Sequence, residues 1–517
     1  MSAFGRAAAL RGALMITGST YFVYGSGLLA SALIARAIGP DDFGRYAYIV
    51  WLAGLLGTIA NNGLTTCGIR FVSECIGRGA PDDAARVHGW LLRQQVAWIV
   101  GVAVVYVLLL PWATRDGWQS QHLAAFTAIA LVAMAGKSAW IFLISIGKGY
   151  GRFDIEAWST IWVSLLNLGA VGVLLLLDAP LMAYLALFAV AGVGHFIAGL
   201  AMLRGRTLAL RFDRPDPLLR ARLRTHLVWT MVLTLTSAFG NKSVETWMLN
   251  REVGPAEVGF FAIAAALTRG GIDLLSSGLS TVLMPTMAHA YGANGVARLG
   301  EVLADAARLF MFFGLLLAGV GTFWAEPAIL LLYGSEFQPA VMVLVVMVVV
   351  GGLTLPEGAF GAALSTTDNQ RLRAILAGAS IVYTLVLCIL LIPSYGLVGA
   401  VVAHAISRVL VYGSMVVGLS RTLGLRLPLG ALARQCLAAA IAAAPSAALV
   451  HLVGGGWIGI AGGLLFAAAF VAASVLLGAW RESDVATVSE LVARFPRLAR
   501  VAGPWLDRLG RLVRARS

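Results

Sequence analysis

Charge is scarce in this sequence: Asp, Glu, Lys and Arg make up 12% of 517 residues, about half their share in a soluble globular chain. A soluble fold with so little polar surface could not keep its apolar surface dry. Cysteine is rarer still. Cys67, Cys75, Cys388 and Cys436 have no paired spacing and the seven histidines are scattered, so neither a disulfide framework nor a metal site is indicated. Phosphate-cradling glycine loops, nucleophile elbows and metal-spaced histidines are also missing, which argues against ATP hydrolysis, enzymatic activity or a cofactor. Acids are outnumbered by bases, 25 to 38, for a formal charge of +13. Elsewhere that excess would suggest a nucleic-acid partner, but here the cations follow the topology and no nucleic acid is expected.

What the chain has is apolar residues, 59% of the total. Runs of about 20, enough to span a bilayer as helices, begin near Ala13, Arg45, Trp90, His122, Glu156, Leu181, Leu227, Val258, Leu309, Pro339, Leu372, Gly396, Ala433 and Gly456. The expected fold is therefore all-α and polytopic, with fourteen crossings. The first run, Ala13 to Ala35, lacks a small-residue cleavage site and reads as a span rather than a signal peptide. With the N-terminus inside, thirty basic residues fall on the inner side and only Arg36, Arg45, Arg115 and Arg251 on the outer. The positive-inside rule then places both termini in the cytoplasm, as expected for a bacterial inner membrane. The 59 glycines are spread through the spans and suit close helix packing.

Outer loops are short, the longest running from about Ala113 to Gln121, which leaves no room for an outer catalytic domain. The inner segment from Arg204 to Thr225 carries seven arginines with Pro215 and Pro217 and divides the chain. The expected organisation is a six-helix bundle over 1–205, a basic linker over 206–226, a second six-helix bundle over 227–420, two additional spans over 421–480, and a tail over 481–517. The tail spaces Val485, Val488, Leu491, Val492, Phe495 and Leu498 between arginines, a pattern for a helix lying on an anionic leaflet. The last two spans carry no charge after Arg434 and are expected to pack peripherally.

The two halves repeat. A shift of 215 positions aligns Arg36–Thr66 with Arg251–Thr281 without a gap, matching Gly39-Pro40 with Gly254-Pro255, Gly44 with Gly259, Gly63-Leu64 with Gly278-Leu279, and nine of 31 positions in all. Copies of an even number of spans are parallel, related by an axis along the membrane normal, an architecture suited to alternating access. The stretch Ala35-Arg36-Ala37-Ile38-Gly39-Pro40-Asp41-Asp42-Phe43-Gly44-Arg45-Tyr46, with Gly63-Leu64 and Arg70-Phe71-Val72-Ser73-Glu74, resembles the opening of the Wzx-type polysaccharide-transport flippases. Their superfamily also holds the multidrug and toxin extruders and the lipid II flippase. The resemblance is close over the first two spans and their copy, and architectural over spans one to twelve. It implies two bundles set as a V, with spans one, two, seven and eight lining a cavity. It implies a substrate as well, an undecaprenyl-pyrophosphate-linked oligosaccharide moved from the inner to the outer leaflet for a surface polysaccharide. Membrane lipids and other polysaccharide-assembly proteins are the expected partners.

A charge at the bilayer centre costs about 3 kcal/mol or more, so ionisable residues inside spans are functional candidates. Seven occur: Lys137, Lys242, Glu245, Arg269, Asp273, Glu357 and Arg408. Lys242 with Glu245, and Arg269 with Asp273, are three and four positions apart, so each pair can neutralise itself on one helix face. Alternatively Lys242 and Arg269, on helices that the resemblance puts around the cavity, attract a pyrophosphate. Arg408 and Lys137 have no acid one turn away, although Lys137 could partly snorkel. His404 shares the face of Arg408 and reads more readily as a packing residue. Pro356, among glycines and next to Glu357, should break span ten and create a hinge or coupling site, or an ordinary kink. Asn61 and Asn62 suit sugar hydroxyls or interhelical hydrogen bonds equally.

Three other functions compete with the flippase. A drug or cation antiporter of the same superfamily should favour acids in its cavity. A membrane glycosyltransferase, ligase or polymerase should display a sizeable outer loop, and a passive scaffold has no need of intramembrane charge.

Overall fold

The computed structural model describes residues 6–113, 117–203, 208–240, 242–367, 369–425, 427–454 and 456–480, with three isolated positions in the tail. The amphipathic helix expected over 481–517 lies outside the described residues. Among the described residues there are helices and no strands. The chain forms two compact units. One holds the chain up to Ala262 with Cys388–Leu397, the other Ile263–Leu387 with the chain from Val398.

Nine described helices are long and apolar enough to cross a membrane, and one bent pair adds a tenth. Three of the nine run 47, 50 and 53 residues, far beyond the ~20 that one crossing needs. Each is interrupted by a glycine in the left-handed region, Gly39 at φ 75°, Gly295 at φ 64° and Gly396 at φ 53°, where a side chain would be strained. Divided at those glycines the three make two crossings each, the segment before Gly295 continuing from the helix Pro255–Thr268, so the described helices make more crossings than the nine or ten counted as continuous helices.

The first unit contains α1 (Arg6–Asn61), α2 (Leu64–Gly77), α3 (Pro81–Ala113), α4 (Leu123–Gly149), α5 (Asp154–Leu176), α6 (Leu181–Ala201), α7 (Pro217–Gly240), α8 (Ser243–Glu252) and the start of α9 (Pro255–Thr268). Its repeat-equivalent segments meet directly. A Cβ on Gly44 would lie 1.7 Å from the Pro255 carbonyl oxygen, and one on Gly259 would lie 3.2 Å from Gly44 Cα. Residues 40–44 and 255–259 therefore touch backbone to backbone, the close approach that small residues permit where lipid offers no hydrophobic drive.

The basic linker is shorter than expected and is docked. Helix α7 already begins at Pro217, because proline suits the first helical position and the Asp216 carboxylate accepts from the N–H groups of Leu218 (3.0 Å) and Leu219 (3.3 Å), as an N-cap does. Ahead of it, Ala209 and Arg211 lie against α3. The Arg211 N–H donates to the Ala85 carbonyl at 3.0 Å, the Ala209 carbonyl is 2.8 Å from His88 Nδ1, and Arg211 pairs with Asp82 at 3.0 Å. Gly89 makes this possible, since a Cβ there would stand 2.0 Å from the Arg211 carbonyl oxygen.

A clasp ties α7 to α2. Arg222 forks onto Glu74 at 2.9 and 3.1 Å, Arg78 pairs with the same carboxylate, and Arg70 and Arg222 both lie over the Phe71 ring. The hydrogen bonds from Arg222, helped by attraction to Arg222, Arg78 and Arg70, hold the Glu74 carboxyl below its usual range. A depressed folded-state pKa contributes stability above the unfolded carboxylate's titration and loses it as pH falls through that range. Acidification from neutral pH should therefore lower the melting temperature of the purified protein more than that of Glu74→Gln. Equal acid shifts in the two proteins would show that the clasp adds no stability.

The second unit contains the rest of α9, α10 (Leu274–Leu332), α11 (Pro339–Leu353), α12 (Glu357–Thr366), most of α13 (Gln370–Leu423), α14 (Leu429–Val453) and α15 (Ile458–Leu476). Helix α15 packs on α10 through Phe466, Phe470 and Phe312, with the Phe312–Phe470 and Phe466–Phe470 rings stacked at 5.2 and 5.7 Å, and α14 joins the same cluster through Leu432, Ala438 and Ala442.

Candidate functional site

The second unit is opened by a fault in its own helix. After Leu353 the backbone turns at Thr354, Leu355 and Pro356, and α12 leaves at 41° to α11. Pro356 has no N–H to continue the ladder. Thr354 turns its hydroxyl back to the Val350 carbonyl at 2.9 Å. Glu357 then falls in the first turn of α12, where the positive helix end favours a carboxylate.

From α13, Arg408 reaches this break. Its Nη2 lies 2.8 Å from Glu357 Oε2 and 3.5 Å from Thr354 Oγ1. The charge pair is close without hydrogen-bond alignment, and neither side chain is sealed, Arg408 being 38% and Glu357 23% exposed. Nearer the start of α13, Arg373 donates to Ser365 Oγ of α12 at 2.9 Å. These groups border a cavity of about 440 Å³, with Gly351, Gly358 and Gly361 exposing backbone along its wall. Two guanidinium groups, one carboxylate and two hydroxyls give it a net positive charge. That suits an anion carrying hydroxyl groups. Residues of α14 and α15 are not among its lining.

The expected site residues are thus distributed. Glu357 and Arg408, 51 positions apart in sequence, are brought together, and Pro356 caps α12. His404 is buried one turn before Arg408. Arg269 is exposed on a π-helical turn, Arg269–Asp273, between α9 and α10. Such turns are rare and recur at functional sites. Ile272 of the same turn borders the cavity, whereas Arg269 does not. The side chain of Asp273 lies outside the described residues.

In the first unit, Lys137 of α4 is half-buried with its Nζ 4.1 Å from the Trp140 ring centroid. The Trp140 N–H donates to Ser159 at 3.0 Å, and His195 meets the ring edge. A cation over an aromatic face has a partner although no acid stands one turn away. Lys242 sits at φ 61° outside α8, whereas Glu245 is buried inside it. The break thus puts Lys242 at the N-cap position and Glu245 in the first turn of α8. Asn61 and Asn62, both buried, mark the break between α1 and α2, with Asn62 at φ 40°. Asn61 donates to Gly57 O at 2.8 Å and approaches Ser138 Oγ at 3.5 Å. Arg373, Thr354 and Ser365 were not among the expected site residues. The only sequence signal for Arg373 was its loop position, which reads as topology. Among the described residues no three His, Cys, Asp or Glu gather as metal ligands.

A family model described as polysaccharide biosynthesis protein matches residues 9–290, more than half of the chain. The chain belongs to the polysaccharide biosynthesis protein family. No curated protein is significantly similar to it in sequence. Its fold is shared with a lipid II flippase, MurJ, in an inward closed conformation, at TM-score 0.70 and 12% identity over 90% of this chain and 98% of that one. An inward-facing multidrug resistance MATE transporter matches at TM-score 0.61 and 15% identity, over 78% and 94% of the two chains. A MATE transporter from Vibrio cholerae matches at TM-score 0.54 and 15% identity, over 80% and 99%. This member of the family is therefore a multi-pass membrane protein of the flippase and transporter fold. The charged residues of the cavity at the broken helix, Glu357, Arg373 and Arg408, lie beyond the family match.

Proposed function

We propose that this protein translocates an undecaprenyl-pyrophosphate-linked oligosaccharide across the bacterial inner membrane by alternating access, for assembly of a surface polysaccharide. The arginine-rich side and both termini are cytoplasmic in this reading. The observation that carries it is the cavity at the broken helix, where Arg408 and Arg373 stand among hydroxyls. A pyrophosphate headed by sugars needs forked cationic donors and polar neighbours, and the cavity supplies both.

Glu357 has a definite part in this scheme. In the empty cavity it neutralises Arg408. An arriving diphosphate takes over the guanidinium, and the released carboxylate becomes free to accept a proton, which couples loading to a gradient. Arg269 on the π-turn and Lys242 at the α7–α8 break are further candidate contacts for the substrate's phosphates and sugars. Lys137, Glu245, Asp273, Asn61 and Asn62 complete the proposed polar set along the route, and Pro356 is its hinge. A cation antiporter would need the Glu357 carboxylate open to its cargo, and Arg408 occupies it.

Deletion of the gene should cause undecaprenyl-linked intermediates to accumulate at the inner leaflet, measured by extraction and leaflet-selective labelling. Unchanged intermediates together with altered drug sensitivity would transfer the assignment to drug export.

A further inference from the structure

The first unit has a cavity of its own. Trp90, Arg93 and Gln94 of α3, Arg214 of the docked linker, and Arg220 and Arg224 of α7 line a half-open cavity of about 380 Å³. Four of these six residues are arginines and none is an acid. Arg220 and Arg224 are one turn apart on one face, and Arg220 lies in the first turn of α7, at the positive end of the helix dipole.

The acids closest in sequence are engaged elsewhere. Asp216 caps α7, Asp82 holds Arg211, and Glu74 holds Arg222 and Arg78. Asp213 is exposed and does not border the cavity. Four like charges drawn together by a docked strap repel one another unless an anion sits between them.

The surroundings say what kind of anion. Beyond Arg93, helix α3 exposes Val96 and Val100. Around and beyond Arg220 and Arg224, α7 exposes Leu218, Val228, Trp229 and Val232. Exposed apolar surface of this kind on a membrane protein suits acyl chains, and a tryptophan at its edge suits the interface level. The arginines thus stand beside apolar surface on two flanking helices.

We propose that this cavity binds the headgroup of an anionic phospholipid, with two phosphates shared among Arg93, Arg214, Arg220 and Arg224. A diphosphatidylglycerol lipid fits, its acyl chains lying along α3 and α7. Basic pockets between membrane helices recognise such headgroups. Bound there, the lipid neutralises the linker and fastens it to α3. A substrate diphosphate offers the same chemistry, but the open apolar flanks point to a lipid drawn from the surrounding leaflet.

The test is titration of the full-length protein, in phosphatidylcholine nanodiscs, with diphosphatidylglycerol, read by native mass spectrometry. Arg220→Gln with Arg224→Gln should weaken binding about thirtyfold, taking each arginine's share from interfacial electrostatics. Arg93→Gln with Arg214→Gln, from the opposite walls, should do the same, while paired lysines at 220 and 224 should retain most of the affinity. Arg298→Gln with Arg421→Gln removes equal charge from exposed arginines that do not border the pocket and should change binding little. An equal loss in that control would reduce the site to diffuse surface charge and overturn the proposal. Displacement of the phospholipid by undecaprenyl pyrophosphate would overturn it in favour of a substrate site. The readout is lipid binding, so failure of the export function would leave this result standing.

Discussion

Alanine at position 408 is expected to abolish surface-polysaccharide export while the protein accumulates to its normal level. Removing one partner of a buried pair costs about 3–5 kcal/mol, but Arg408 is 38% and Glu357 23% exposed, so solvent screening on the arginine's side brings the structural cost below that range. The loss should therefore appear as function rather than as abundance. The variant Arg408→Ala with Glu357→Ala separates two roles for the arginine. It leaves no orphan carboxylate. If Arg408 only neutralises Glu357, binding of undecaprenyl pyrophosphate returns in the purified double variant; if Arg408 holds the substrate, binding stays lost. Polymer on the cell surface, beside membrane abundance by immunoblot, reads the single variant, and diphosphate binding by the purified proteins separates the two roles.

Valine at position 44 is expected to remove the folded protein altogether. Within a helix, replacing glycine with a residue that has a side chain ordinarily gains up to about 1 kcal/mol of helix propensity. Here the added Cβ would be 1.7 Å from a backbone oxygen of Pro255, an atom with no rotamer to change. Overpacking of a tight interface typically costs about 1–3 kcal/mol and more where backbone must move. Alanine at 44 should already lower the melting temperature of the extracted protein, and alanine at 259 should do so less, its Cβ being 3.2 Å from Gly44 Cα. A Gly44→Ala protein that melts like the unsubstituted one would show that residues 40–44 and 255–259 can part without cost.

Much of the fold could be read from the sequence because membrane helices announce themselves by length and apolarity. Even the long continuous helices follow from it, since Gly39, Gly295 and Gly396 supply the breaks. The repeat was visible in Gly39-Pro40 and Gly254-Pro255, both of which prove to place a positive-φ glycine before a helical proline. The contact between Gly44 and Gly259 was not visible, because identity between copies says nothing about whether they touch.

The site was harder to read. Lys137 looked unpaired only because acids were sought one turn away, while Trp140, three residues on, supplied its ring. Arg408 and Glu357 were each singled out, yet their pairing depends on how α13 lies against the α11–α12 break, which no local pattern encodes. Arg373 was hidden by a correct use of its charge, since an arginine that sets topology can also border a cavity.

The meeting of residues 40–44 with 255–259 has a further consequence. Gly44 and Gly259 each form the floor for the other. A Cβ on either would meet the facing backbone, 1.7 Å from Pro255 O or 3.2 Å from Gly44 Cα, so one close approach excludes a bulky residue at two positions 215 apart in sequence.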